Sequence, residues 1–153
     1  MSLVAEKPID GTLPQDASTP IGALNEFYRA FNRRDLALME QNWEQSEEAA
    51  MDNPLGGIKR GWSEIGPVYE RIFSGETTVR VEFFDYTLHQ TGDVFWAVGR
   101  ERGTLKRGDT ELELAIRTSR LFRRDSGGRW RQVHHHGSMD DPQLLARYQA
   151  AVR

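Results

Sequence analysis

After Gly75 the apolar residues of this 153-residue chain change from helical spacing to the alternation of β-strands. Four long strands are predicted, at about 77–90, 93–106, 110–124 and 129–138. The turns between them are typical hairpin connections: Thr91-Gly92-Asp93, Arg107-Gly108-Asp109 and Asp125-Ser126-Gly127-Gly128. Because parallel pairing would need long crossover segments, the four strands are predicted to form an antiparallel meander.

Three helices are predicted before Gly75. The first begins at Thr19 and Pro20, where Thr19 is a suitable N-cap and Pro20 fits the first helical position. Its apolar residues follow at helical spacing and form one stripe: Ile21, Leu24, Phe27, Tyr28 and Phe31. A second, short helix covers residues 36–43, and the third opens with Ser63 as its cap and ends at Gly75.

The remaining segments complete one domain. Residues 1–18 show no apolar periodicity, so we predict a flexible leader followed by a domain of residues 19–153. A short strand is predicted near 49–52 and a last helix near 141–152. Helices that precede a meander must cover one face of its sheet, and strands this long coil, so that face becomes concave. The sequence therefore predicts an α+β fold, with three N-terminal helices packed in a strongly curved antiparallel sheet around a pocket.

The composition excludes several classes of protein and of site. The chain has no cysteine, which excludes disulfides, thiolate metal sites and a cysteine nucleophile. A formal net charge of −3, with both signs interspersed, gives no electrostatic reason to expect nucleic acid as a partner. No apolar run approaches the length of about 18 residues that a membrane span needs, and no secretory signal is evident. We expect a cytoplasmic protein without a membrane contact and without a cofactor.

Alternation along the strands indicates which side chains face the pocket. In the third long strand Arg120 shares a face with large apolar residues, namely Leu112, Leu114, Ile116 and Phe122. In the second long strand Arg100 shares a face with Val94, Trp96 and Val98. Both arginines are therefore predicted to point inward.

A guanidinium among apolar side chains needs a partner, because Arg keeps its proton and an unpaired buried charge is costly. One explanation is an internal carboxylate such as Asp52, Glu26 or Glu40. The other is that Arg100 and Arg120 converge on the carboxylate of a small-molecule ligand, which the guanidinium fork matches in shape.

Other candidates for the pocket are aromatic or titratable. Trp43, Trp96 and Tyr28 are predicted to line a bound ligand, although aromatic residues at such spacing are also typical of a core. Asp52, near the end of the short strand, is the candidate general base, and the alternative is a turn residue that closes the loop. His135 shares the predicted inner face of the last strand with Val133 and is the candidate partner of Asp52.

Three consecutive histidines end the meander. Adjacent strand residues point to opposite faces, so only His134 and His136 could share an ion, and no third ligand at suitable spacing is evident. We therefore predict no metal site. Instead, His134 and His136 are predicted to form an outer patch with Trp130 and Gln132, and this patch would contact a second copy in a homodimer.

Two segments of the chain resemble the SnoaL-like branch of the nuclear-transport-factor-2-like (NTF2-like) superfamily. The run from Gly128 to Ser138 fits the family ending G-x-W-x-x-V-H-x-H-x-S, and Phe27 to Asp35 fits the opening F-x-x-A-F-x-x-x-D. The likeness extends over about residues 20–139 and is similar above all to the association domain of calcium/calmodulin-dependent kinase II.

The resemblance implies a cone-shaped fold with a pocket, and pocket arginines at the positions of Arg100 and Arg120. Two further anion-binding residues of the association domain fall at Gly137 and at about Ile65, so that set is incomplete here. Because the superfamily includes ketosteroid isomerases, scytalone dehydratases and polyketide cyclases as well as non-catalytic modules, three functions stay open. They are a domain that binds a small molecule such as an organic acid, an acid–base enzyme, and an oligomerisation module with a vestigial pocket.

Overall fold

The computed structural model describes residues 3–4 and 7–152. In this part of the chain the elements are β1 (Leu3–Val4), α1 (Pro20–Asn32), α2 (Leu36–Asn42), β2 (Ala50–Asp52), β3 (Lys59–Arg60), α3 (Trp62–Ser74), β4 (Thr78–Thr91), β5 (Val94–Arg107), β6 (Thr110–Arg124), β7 (Trp130–Ser138) and α4 (Pro142–Ala151). The strands form one sheet in the order β1-β4-β5-β6-β7-β2-β3. Strands β4 to β7 are the predicted antiparallel meander, and the α+β class is confirmed.

The helices begin where their sequences favour it, with one exception. The Thr19 hydroxyl accepts a hydrogen bond from the N–H of Gly22 at 3.0 Å, so Thr19 is the N-cap of α1 as predicted. Helix α3 begins two residues earlier than it would with Ser63 as its cap, and its N-cap is Gly61, which has a φ of 74° and no side-chain cap. The prediction of Ser63 as the cap is therefore wrong, because glycine tolerates this backbone conformation without a side-chain hydrogen bond.

A bulge in β4 bends the meander around α1. The register between β4 and β5 shifts between Phe84 and Thr87, and Asp85 has a φ of 48° in this stretch. The shift places both Phe83 and Tyr86 on the inner face, where both are buried. A bulge of this kind increases the local bend of a strand, so it helps to close the cone.

A second bulge sets the faces of β7. Val133 has no partner in β6, and the alternation of side chains restarts on either side of it. Trp130, Gln132 and His135 consequently all face the interior and are buried. The prediction that Trp130 and Gln132 belong to an outer patch is wrong, because it carried the alternation unbroken through the bulge.

Part of the segment before α1 packs against the domain. Ile9 is buried, and its backbone exchanges two hydrogen bonds of 2.8 Å with that of Phe83. The Asn25 side chain both accepts from the N–H of Leu13 and donates to its carbonyl oxygen. The predicted boundary at residue 19 therefore lies too late, since Ile9 is part of the core and Leu3 and Val4 of β1 already pair with β4. Residues 1, 2, 5 and 6 of the predicted leader lie outside the described residues.

Candidate functional site

The cone encloses a small cavity between α1, α3, α4 and the inner face of the sheet. Its volume is about 40 Å³, which leaves room for about one water molecule. Its apolar wall includes Phe27, Phe31, Ile72, Val79, Leu114 and Ile116. Its polar groups belong to Asn53, Tyr69, Glu101, Arg120, His135 and Tyr148.

Arg120 is the charged centre of this interior, with only 2% of the residue exposed. Its Nη2 donates to Oε2 of Glu101 at 2.9 Å, its Nη1 donates to Oε1 of Gln132 at 2.7 Å, and its Nε donates to the Tyr28 hydroxyl at 3.3 Å. The guanidinium carbon lies 3.6 Å from the ring centre of Phe27, which adds a cation–π contact. The explanation by an internal carboxylate therefore holds, but the carboxylate is Glu101 and none of the three that the sequence suggested.

Glu101 faces the interior because the faces of β5 are the reverse of those predicted. The inward side chains are those of Phe95, Ala97, Glu101 and Leu105, with Gly99 between them. A Cβ added to Gly99 would lie 2.6 Å from Cβ of Tyr86, so only glycine fits beside the bulge of β4. The size of the residues suggested the opposite face, whereas close packing requires a small residue inside the sheet here.

Tyr28 on α1 forms hydrogen bonds with both members of the Arg120–Glu101 ion pair. Its hydroxyl donates to Oε2 of Glu101 at 2.5 Å, and its ring stacks on Phe83 with 5.6 Å between the centroids. Burial, together with the negative charge of Glu101, raises the pKa of Tyr28 well above its usual value of 10.0. Tyr28 therefore stays neutral, and it supports the pair without facing the cavity.

The hydrogen bonds continue from the ion pair to the surface. Nε2 of Gln132 donates to Oδ1 of Asn42 at 3.1 Å, and Nδ2 of Asn42 donates to Oε1 of Glu26 at 3.1 Å. Glu26 in turn accepts from Nη2 of Arg129 at 2.7 and 2.8 Å. The chain of polar groups links α1, α2, β5, β6 and β7, and each side chain in it has at least one hydrogen-bond partner, whereas Nε of Arg129 is buried without one.

His135 presents a neutral imidazole to the cavity. Its Nδ1 lies 3.3 Å from the carbonyl oxygen of Ser119, which can only accept, so Nδ1 carries the hydrogen and Nε2 has the lone pair. Burial, and next the positive charge of Arg120, lower the pKa of His135 well below 6.5. The ring is thus uncharged at neutral pH.

Asp52 lies outside the cavity. Strand β2 runs parallel to β7 and places Asp52 beside His136, whose Nδ1 donates to Oδ2 of Asp52 at 2.6 Å. Nε2 of His134 lies 3.8 Å from the other oxygen of the same carboxylate. The predicted pair of Asp52 with His135 therefore does not form, because neighbouring residues of β7 face opposite sides. Within residues 3–4 and 7–152 no group of three histidine or acidic residues could hold a metal ion.

The other predicted ligand residues divide between the two sides of the sheet. Arg100 lies on the outer face, where its Nε is 3.4 Å from Oδ2 of Asp85. Trp96 is 36% exposed on the same face and stacks on His89. Trp43 is buried behind Tyr69 and lines no part of the cavity.

Of the seven residues proposed from sequence, only Arg120 and His135 thus line the cavity. Glu101 and Tyr148 also line the cavity and were not predicted to do so. Nothing local marked Glu101, whereas Tyr148 belongs to the apolar face of a helix that was predicted.

The fold is a sheet rolled into a cone. Helices close the cone over an interior that is largely apolar. The sequence profile of the SnoaL-like domain matches residues 22–142, so the chain belongs to the SnoaL-like domain family. The resemblance to NTF2-like proteins is thereby confirmed. No curated protein sequence matches the chain. None of the helices in the described part of the chain is long and apolar enough to cross a membrane.

Solved structures share the fold. A protein from Thiobacillus denitrificans, named for the calcium/calmodulin-dependent protein kinase type II association domain, is 25% identical with a TM-score of 0.66, over 84% of this chain and 100% of the other. A protein from Streptomyces avermitilis, named as a dehydratase of the NTF2-like family, is 20% identical with a TM-score of 0.69, over 76% of this chain and 89% of the other. A ketosteroid isomerase-like protein from Erwinia carotovora is 17% identical with a TM-score of 0.68, over 85% of this chain and 100% of the other. The last two show the fold alone.

The Arg120–Glu101 pair can be tested by a double-mutant cycle. Arg120→Met leaves the Glu101 carboxylate stranded in the interior, and we expect the free energy of unfolding to fall by about 3–5 kcal/mol. Glu101→Gln should cost a similar amount, because the guanidinium loses its counter-charge. The double variant keeps no buried charge, so its cost should be smaller than the sum by about 2 kcal/mol in urea unfolding.

The matched control is the exposed pair of Arg102 and Glu82, which are 2.7 Å apart on the outer face. Its coupling should stay below about 1 kcal/mol because solvent screens it. If the losses in the free energy of unfolding from Arg120→Met and Glu101→Gln simply add up in the double variant, the two side chains do not stabilise each other, which would contradict their role as a buried ion pair.

The pKa of His135 predicts a pH dependence of stability. The folded state resists the proton that the unfolded histidine takes up as the pH falls through 6.5, so stability is lost below that pH. In His135→Gln the amide can still donate to Ser119, and no proton is taken up. Between about pH 7.5 and about pH 5.5 this variant should lose about 1.4 kcal/mol less than the wild type. Equal losses in urea unfolding would show that His135 is protonated in the folded protein.

Proposed function

We propose that the protein binds a small, uncharged, mainly apolar molecule inside the cone, at the cavity of about 40 Å³, which must widen to admit it. The observation that carries this proposal is the closed Arg120–Glu101 pair, which gives the interior a charged recognition element without a net charge. The neutral His135 adds one hydrogen-bond acceptor at Nε2. Most of the other side chains in the wall are apolar, as is typical of sites for small organic molecules.

An organic acid fits this interior poorly. The sequence-based expectation required Arg100 and Arg120 to converge, but Arg100 lies on the opposite face of the sheet. Three N–H groups of Arg120 are directed to protein acceptors, and one of these acceptors is a carboxylate. A ligand carboxylate would add a second negative charge beside Glu101 in a place with little water, which is costly. A neutral ligand avoids this cost.

The proposal predicts which compounds stabilise the protein. Neutral compounds such as 4-methylphenol and cyclohexanone should raise the melting temperature by mass action, since they bind only the folded state. Benzoate, of similar size but charged, should leave it unchanged. Val79→Phe, which fills the cavity, should abolish the response, and Arg100→Gln on the outer face should preserve it. A response to acids alone would contradict the proposal.

Acid–base catalysis is the second candidate, with Nε2 of His135 as the base. A neutral histidine facing an apolar cavity favours it, and two proteins of the same fold are named as a dehydratase and as ketosteroid isomerase-like. A general base works best when its pKa lies near the working pH, however, and burial lowers the pKa of His135 well below 6.5. Asp52, the other candidate base, faces outward. Binding is therefore the better supported function.

We also propose that the outer face of the sheet joins two copies of the chain. The cross-strand row of His89, Trp96, Leu121 and His134 lies on this face, with Val98 beside Trp96 and 46% exposed. Such a patch on a sheet suits a two-fold contact in which the same residues meet. The similarity to a protein named for an association domain agrees with this arrangement.

The proposed dimer can be tested by sedimentation at micromolar concentration. The wild type should sediment as a dimer, and Trp96→Glu should sediment as a folded monomer because it places a charge in the contact. Ile58→Glu is the matched control, since Ile58 is 54% exposed but lies outside the long strands. It should remain dimeric. A monomeric wild type would contradict the proposal.

A further inference from the structure

Helix α4 closes the mouth of the cone with one side chain. Asp141 caps the helix by accepting from the N–H groups of Gln143 and Leu144. Tyr148 is its buried residue, 6% exposed, and its side chain forms part of the cavity wall with Arg120 and His135. The cavity is therefore small because an aromatic ring from the same chain stands in it.

We infer that the Tyr148 ring occupies the place of the ligand, so that the site takes an uncharged single-ring aromatic molecule with a hydroxyl group when α4 moves away. This inference rests on the proposed binding function and names the class of ligand. The remaining volume of about 40 Å³ cannot hold such a molecule together with the Tyr148 ring, so the two must exclude each other.

The surroundings of Tyr148 suit a neutral phenol. The apolar wall, including Ile72, Val79 and Leu114, can contact the faces of a ring. Burial, followed by the negative charge of Glu101, raises the pKa of Tyr148, so the protonated hydroxyl is favoured. A ligand hydroxyl at the same place would be held in its neutral form for the same reason. It could donate to Glu101 or to Nε2 of His135.

Between the described residues, few polar contacts hold α4 against the rest of the domain. Nε2 of Gln149 donates to the carbonyl oxygen of Pro54 at 3.3 Å. The carbonyl oxygen of Ala151 accepts from the Thr77 hydroxyl at 2.9 Å and from Nη1 of Arg107 at 3.0 Å. Its apolar residues other than Tyr148 are partly buried or exposed. Segments with few buried contacts open at a lower free energy than the whole domain, so α4 can leave while the sheet stays folded.

The test uses 4-methylphenol, the analogue of the tyrosine side chain, with the full chain and three variants. Calorimetry should show Tyr148→Ala binding it about tenfold or more tightly than the wild type, because the competing ring is gone and no energy is spent on opening. Tyr148→Phe keeps a ring and should bind about as weakly as the wild type. Arg147→Ala, on the exposed side of the same helix, is the matched control and should behave as the wild type.

Hydrogen exchange of the wild type supplies the second measurement, which does not depend on the stability of any variant. With 4-methylphenol bound, amides of residues 143–151 should exchange faster and those of β5 and β6 more slowly. A generic cavity filler would bind to Tyr148→Ala without any such change in the wild type.

The outcomes separate the inference from the proposed function. If the wild type binds 4-methylphenol while α4 exchanges at the same rate or more slowly, the inference fails and the binding function stands. The inference also fails, and the binding function stands, if Tyr148→Ala binds the phenol but the phenol does not speed the amide exchange of α4 in the wild type. If neutral non-aromatic compounds bind and 4-methylphenol binds to neither protein, the ligand class is wrong. If no neutral compound binds to either protein, the proposed function itself fails.

Discussion

An arginine and a glutamate that meet inside an apolar cone set the conditions for the rest of this structure. Taking either charge out of water alone would cost several kcal/mol, so each requires the other, and the remaining donors of Arg120 require Gln132 and Tyr28. These partners lie on α1, β5 and β7, and the pair thereby dictates how the helix sits against both strands. The buried amide of Gln132 needs a hydrogen-bond acceptor in turn, and Asn42 on α2 supplies it.

The closed pair also determines the chemical character of the interior. Because the two charges cancel, the cavity offers polar recognition without attracting an ion, and burial keeps His135, Tyr28 and Tyr148 in their neutral forms. An interior of this kind favours neutral, mainly apolar ligands. Glu101, which the pattern of residue sizes had assigned to the solvent side, is the residue responsible for this character.

The two sides of the sheet have separate roles. The inner side holds the polar chain and the cavity, whereas the outer side carries Trp96, Val98, Arg100 and the Asp52–His136 pair. The fold is common to proteins named after dehydratases, isomerases and association domains, so it does not select among these activities. The selection depends on which side chains reach the cavity and on α4, which fills its mouth.

Local sequence was sufficient for the elements and their order. Thr19-Pro20, the glycine-containing turns and the change of period after Gly75 depend on backbone preferences of neighbouring residues, and the helices and long strands follow them closely. Local sequence was not sufficient to predict which side chains of β5 and β7 face inward. The bulge at Val133 and the close approach of Tyr86 to Gly99 arise from contacts between distant segments, and one extra residue reverses every side chain beyond it. The partner of Arg120 was likewise set by the packing of strands against α1, because a buried charge takes whichever carboxylate the fold brings within reach.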